Sequence, residues 1–256
     1  MFSKAIVRLP SENFADGLTS VDLGVPDFEK ALGQHRAYCE ALVRCGLQVI
    51  ELKADARYPD STFVEDTAIL TERCAVITRP GAASRSGETA NMAETLSTYY
   101  DRLDRVEAPG TVDGGDVCQI ETRFLIGISE RTNEAGARQL SSYLEASGFT
   151  YSHIDFRETD GLLHLKSGIS YLGENRVLVT DSLADRDELE GYEQVDVPEG
   201  EEYAANCIRV NDYLLFAVGF PKLRNKLESL SYKIIELEMS EFQKMDGGLS
   251  CLSLRF

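Results

Sequence analysis

Apolar and polar positions along the 256 residues alternate in a recurring order: two short apolar strands around a polar turn, then an amphipathic helix, then another strand. In the first copy, Ala68-Ile69-Leu70 and Ala75-Val76-Ile77 flank Thr71-Glu72-Arg73, and a helix is predicted over Glu88 to Leu103. The second pairs Val117–Ile120 with Phe124–Ile128. Its helix runs from about Asn133 to Ala146, with Thr132 as cap and Gly148 as stop, and strand Tyr151–Phe156 follows. The third spans Ile169 to Thr180, with a short acidic helix Leu183–Leu189 and strand Gln194–Val197. The fourth pairs Cys207–Val210 with Leu214–Val218, then continues as helix Lys222–Leu230 and strand Lys233–Leu237. The fifth copy is split between the ends of the chain. Strand Leu249–Phe256 is at one end; strand Lys4–Leu9, helix Phe28–Cys45 (cap Asp27, stop Gly46) and strand Gln48–Leu52 are at the other. If the two terminal strands pair, five strand-strand-helix-strand units close into an α/β ring without sheet edges, a single domain over residues 1–256. An ordinary mixed α/β sheet is the alternative.

Hydrophobic residues make up 43% and charged residues 27%, as in a soluble globular protein. No apolar run reaches the roughly 18 residues that span a bilayer. The N-terminal stretch lacks a signal-peptide core, so a cytoplasmic location is expected. The net charge of −17 argues against nucleic-acid and anionic-membrane partners and favours a cationic ligand, although much of it serves solubility. The six cysteines form no CxxC pair and there are three histidines, which disfavours a structural zinc site. Without a secretion signal a disulfide framework is also disfavoured.

Four segments carry candidate chemistry. Phe63-Val64-Glu65-Asp66 sets two carboxylates before an apolar hairpin, read as a strand entrance on which neighbours face opposite ways. A buried carboxylate there needs a cationic partner, and a bound guanidinium would serve; a solvated entrance is the plain alternative. Asp113-Gly114-Gly115-Asp116 is either a plain turn or a close backbone approach. His164 is a lone histidine in an apolar stretch, more often a satisfied structural group than a catalyst. Cys251 follows Gly247-Gly248 where the last strand is expected to begin, and a buried inert thiol is the plain reading. Each segment precedes a different repeat's hairpin. In a ring these positions converge on the axis, so a thiol, an imidazole and several carboxylates would share one acidic pocket suited to nucleophilic attack on a cation.

The same blocks, FVED with ITRPGAASR, DGGDV with GISERTNEAG, DGLLHLKSG, AANCI and MDGGLSCLSL, resemble the dimethylarginine dimethylaminohydrolases over nearly the full length. That family lies in the guanidine-modifying (pentein) superfamily with arginine deiminases and amidinotransferases. The resemblance implies a five-bladed α/β propeller and hydrolysis of Nω-methylated arginine to citrulline and dimethylamine or methylamine, without metal or organic cofactor. It makes Cys251 the nucleophile, His164 the acid/base and Asp113 the residue orienting it. Glu65 and Asp66 become the guanidinium clamp, and Arg85 and Arg131 the carboxylate binders. Asp60, Asp246 and the Leu18 carbonyl lie near the α-amino end, under a lid over Ser11–Gly24. A homodimer is compatible with it. Arginine deiminases typically carry aspartate two residues after the histidine; Lys166 stands there in this chain and favours the methylarginine enzymes. An amidinotransferase lacks support, since no second amine-binding feature is evident. A non-enzymatic ribosome-binding factor of the same ring fold predicts neither the aligned Cys/His/carboxylate set nor so acidic a surface.

Overall fold

The computed structural model describes residues 1–256. Strand β1 (Lys4–Arg8), helix α1 (Phe28–Arg44) and strand β2 (Gln48–Leu52) begin the chain. Asp27 caps α1 by accepting from the Lys30 amide at 2.9 Å, and Gly46 leaves the helix at φ +92°, a left-handed conformation that glycine adopts freely. Then come β3 (Ala68–Leu70), β4 (Ala75–Ile77), α2 (Glu88–Leu96) and β5 (Leu103–Arg105). The next unit is β6 (Val117–Ile120), β7 (Arg123–Ile128), α3 (Glu134–Ala146) and β8 (Thr150–Asp155). The third comprises β9 (Ile169–Gly173), β10 (Arg176–Val179), α4 (Asp181–Ala184) and β11 (Glu193–Asp196). The fourth comprises β12 (Ile208–Val210), β13 (Tyr213–Ala217), α5 (Pro221–Ser229) and β14 (Lys233–Leu237). A short helix α6 (Ser240–Gln243) precedes the last strand, β15 (Leu254–Arg255).

These strands form five three-stranded sheets of one topology: the first strand runs antiparallel to the second, which runs parallel to the third. The fifth sheet is β15-β1-β2, with Ala5 opposite Arg255 and Ile6 opposite Leu254, so the two ends of the chain complete one blade. The hydrophobic core divides accordingly into five clusters, each joining two neighbouring blades. Alternation along the strands feeds both neighbours: Val117 packs with the first blade and the adjacent Cys118 with the third. The cluster around Tyr38, Phe14 and Phe242 joins the fourth blade to the terminal one. That arrangement is the closed ring rather than a mixed sheet.

Several local expectations are corrected. Helix α2 stops at Leu96 rather than Leu103. The Ser97 and Thr98 hydroxyls bond back to the Glu94 and Thr95 carbonyls, and Leu103 is needed opposite Ala75 in β5. The cap of α3 is Asn133, which accepts from the Gly136 amide, while Thr132 bonds Asp116 instead. The acidic helix Leu183–Leu189 is two pieces, α4 and a 3-10 turn at Asp187–Leu189, with Arg186 extended between them and tied to the Asp155 carbonyl. The last strand covers only Leu254–Arg255. Finally, the hairpin entrances are not strands. Val64–Thr67, Gly114–Asp116, Leu165–Ser167, Glu202–Ala205 and Ser250–Leu252 are 3-10 turns, one ahead of each blade.

Candidate active site

Because each blade opens with a 3-10 turn at the ring axis, five short backbone segments bring their side chains together. A turn of this kind sends consecutive side chains to different sides of the axis without the strict alternation of a strand. Both members of the first pair are therefore buried, Glu65 at 4% exposure and Asp66 at 3%, yet they serve opposite faces.

Asp66, Asp113, His164 and Cys251 line a pocket of about 170 Å³ together with Leu18, Asp60, Phe63, Arg85, Arg131 and Asp246. His164 Nε2 lies 3.2 Å from Asp113 Oδ2, and Asp113 Oδ1 accepts from the Gly81 amide at 2.8 Å. Asp66 Oδ1 accepts from the Gly115 amide at 2.8 Å, and its other oxygen is paired with Arg85. Close approach explains the glycine pair: a Cβ at Gly114 would sit 2.0 Å from the Glu65 carbonyl oxygen, and one at Gly115 would strike the His164 ring at 2.8 Å. Burial works against a charge on His164, but Asp66, Asp113 and Asp116 outweigh it and push the imidazole up to about 9. Burial, then Glu65 and Asp66, push the Cys251 thiol up to about 12. The Gly248 amide donates to Cys251 Sγ at 3.4 Å. The site thus favours the charged imidazole and disfavours the thiolate, and a positive charge placed beside Cys251 would favour its ionisation. Asp66, Asp113 and His164 also bring ligand atoms within 4.8 Å of one another, but protein donors already engage both carboxylates.

The two arginines differ. Arg85 is fixed in place: Nε and Nη2 bond Glu88, Nη1 bonds Asp66, and Nη2 also reaches the Phe63 carbonyl at 2.9 Å. Arg131 lines the same pocket and its guanidinium has no hydrogen bond or ion pair within the chain, since Glu134 pairs with Arg157. Over the pocket, the segment expected as a lid is held down by two carboxylates. Asp60 Oδ1 accepts from the Leu18 amide at 3.0 Å, and Asp246 Oδ2 accepts from the Ser20 amide and hydroxyl.

Glu65 lies outside this pocket. Lys166 Nζ is paired with its Oε1, and Ser250 Oγ donates to its Oε2 at 2.7 Å. Glu65, Lys166 and Ser250 line a larger cavity of about 950 Å³, although the charge on Glu65 still acts on the Cys251 thiol.

Three positioning residues were given no role in the sequence reading. Asp116 accepts from Ser129, from Thr132 and from the Leu165 amide, anchoring the turn that follows His164, and burial raises it to about 6. Asn206 accepts from the Ser250 amide at 2.8 Å and donates to the Lys166 carbonyl at 3.1 Å, clipping the Cys251 turn to the His164 turn. Glu88 holds Arg85. Asp116 and Asn206 sit inside the DGGDV and AANCI blocks, but their work depends on partners 40 or more residues away.

A sequence model described as arginine deiminase matches residues 58–213, more than half the chain. This fixes the class as a guanidine-modifying α/β propeller. An N(G),N(G)-dimethylarginine dimethylaminohydrolase of Pseudomonas aeruginosa is 46% identical over the whole of both chains. One of Streptomyces coelicolor is 36% identical over 98% of this chain and 96% of its own. A solved structure of the Pseudomonas aeruginosa enzyme, a mutant complexed with citrulline, superposes with a TM-score of 0.96 at 45% identity over all of both chains. The chain belongs to the dimethylarginine dimethylaminohydrolase family.

Proposed function

We propose that this protein hydrolyses Nω-methylated arginine to citrulline and dimethylamine or methylamine through a covalent adduct on Cys251. The carrying observation is the full-length 46% identity to a dimethylarginine dimethylaminohydrolase, in a chain whose Cys251, His164, Asp66 and Asp113 line one pocket.

In this reading the cationic guanidinium binds against Asp66 and Asp113. Its charge lowers the Cys251 thiol toward ionisation, the thiol proton passes to solvent, and the thiolate attacks the guanidinium carbon. The bond from that carbon to the methylated nitrogen breaks as His164 gives its proton to the departing amine, which leaves poorly unless protonated. Water then attacks the thiouronium carbon while the neutral His164 takes its proton. The carbon–sulfur bond breaks, citrulline leaves and the thiol side chain is restored. Arg131 binds the substrate carboxylate, while Arg85 fixes Asp66. Asp60 and Asp246 hold Leu18 and its neighbours over the α-amino end. No step calls for a metal or an organic cofactor.

Arginine deiminase remains the second reading, because the matched sequence model carries that description. The deciding experiment incubates the enzyme separately with asymmetric dimethylarginine, monomethylarginine and arginine and identifies the amine released. Dimethylamine or methylamine at rates well above ammonia from arginine supports the proposal; ammonia as the dominant product overturns it. Acid-quenched enzyme should carry the amidine adduct on Cys251 by mass spectrometry.

No helix is long and apolar enough to cross a membrane, and all six thiols are free, which suits a reducing compartment such as the cytoplasm.

A further inference from the structure

A second set of metal-binding side chains lies outside the pocket, on the outer wall of the terminal blade. His35 and Cys39 are four residues apart on α1 and so share one helix face; Glu51 lies on β2, the strand beneath. One donor atom from each falls within 4.8 Å of the others. His35 Nδ1 and Cys39 Sγ are 3.7 Å apart. Two ligands of a tetrahedral zinc, at about 2.3 Å for sulfur and about 2.0 Å for nitrogen, are separated by roughly 3.6 Å.

The imidazole is oriented for ligation. His35 is fully buried, with Nδ1 facing Cys39 and Nε2 facing the Arg8 carbonyl. A metal-bound histidine donates its remote N–H to a backbone carbonyl in the common arrangement, and Arg8 supplies that acceptor.

We propose that His35, Cys39 and Glu51 form a zinc site on the outer face of the ring, distinct from the catalytic pocket. Nitrogen, sulfur and oxygen donors in one cluster suit zinc among the abundant divalent cations. On binding, the Cys39 proton passes to solvent and the thiolate takes its place on the metal. Glu51 is exposed and Cys39 half-buried, so the fourth position opens to water. The ion would tie α1 to β2, the outer strand of the blade in which the two chain ends meet.

The test is cobalt(II) and zinc titration of the full chain carrying Cys251→Ser, which removes the thiol of the pocket. The expected result is one tightly bound cobalt with thiolate charge-transfer absorption in the near ultraviolet, displaced by zinc, and a melting temperature that rises with zinc. Adding Cys39→Ser should abolish the thiolate band and the zinc-dependent rise. Adding Glu51→Gln, at an exposed position where folding is secure, should weaken cobalt binding by roughly tenfold or more. Absence of a thiolate band in the parent, its survival in the Cys39→Ser protein, or unchanged affinity in the Glu51→Gln protein would each overturn the site. With Cys251 restored, Cys39→Ser should leave turnover unchanged; its loss would mean that the residue serves the pocket instead.

Discussion

Glu65 and Asp66 share one 3-10 turn, but the surroundings they meet are opposite in character. Asp66 faces the smaller pocket, against Arg85, the Gly115 amide and the charged His164, and these hold it below the usual carboxylate range despite its burial. Glu65 faces the larger cavity, where Lys166 and Ser250 take both of its oxygens. Adjacent carboxylates in a turn thus divide into one held by Arg85 beside the imidazole and one that joins three blades at the axis, while both charges bear on the Cys251 thiol. The polarity of the ring comes from partners in other blades, because each 3-10 turn offers side chains to both sides.

The sharpest test of the pocket side is its nucleophile. Cys251→Ser should abolish turnover while leaving the melting temperature within a few degrees, since the serine fits the space and loses only a weak bond from Gly248. Normal citrulline formation by that variant would end the assignment. Next comes the pair itself. Asp66→Asn should lower kcat/KM by about 10²-fold or more, because it removes charge facing the guanidinium and lowers the charge support for His164. Glu65→Gln keeps one acceptor, for Lys166, and turns an amide donor toward the Ser250 hydroxyl, so it should cost less than about tenfold. Equal losses in the two variants would erase the division drawn above.

The charge on His164 gives the comparison a pH signature. Its folded value of about 9 lies above the unfolded value near 6.5, so the folded state binds the extra proton between the two. The stabilisation is complete below about pH 6.5 and is lost as pH rises through about 9. At 1.36 kcal/mol per unit its full size is on the order of 3 kcal/mol. Urea denaturation at pH 6 and pH 9.5 should show a larger loss in the wild type than in His164→Asn, since the raised thiols cost both proteins alike at the higher pH. The same variant should lose at least about 10²-fold in kcat. A wild-type stability flat across this range would mean that His164 is neutral at rest.

Much of this division could not be read from the chain alone. Blade order was legible because each strand is short, apolar and followed by an amphipathic segment; pairing of the terminal strands was legible only as a condition for closing the ring, and the structure supplies its register, Ala5 opposite Arg255. The approach of Cys251, His164 and Asp113 was legible as equivalent positions in successive repeats. What failed was local conformation at the entrances: Phe63-Val64-Glu65-Asp66 has the composition of a strand start, and only packing against neighbouring turns makes it 3-10. The joint clamp of Glu65 and Asp66 is what the family resemblance implies, and the turn gives the two carboxylates different partners in the chain. The partners of Arg85 were hidden for a related reason. A long cation near an anionic ligand site looks free in sequence, and nothing local marks Glu88, three residues on, as its partner rather than a solvated helix-start acid.

The two arginines carry the last and smallest effect. Both were expected to bind the substrate carboxylate, yet one is held by acidic groups and carbonyls, with one Nη1 hydrogen left over, and the other has no partner in the chain. An arginine held this way cannot move to meet a ligand without breaking a buried pair, at a cost of about 3–5 kcal/mol. Arg85→Ala should therefore appear first as lost folding stability, with Asp66 and Glu88 left unpaired. Arg131→Ala should leave stability nearly unchanged and raise KM for dimethylarginine by roughly 10- to 100-fold, the worth of one or two hydrogen bonds to a charged carboxylate at about 1.5–3 kcal/mol. A decarboxylated analogue never made that contact, so its kcat/KM should change little. Measuring both substrates separates the roles: equal losses on the two would show that Arg131 supports the fold of the pocket rather than the carboxylate, and would return carboxylate binding to Arg85 or to the lid.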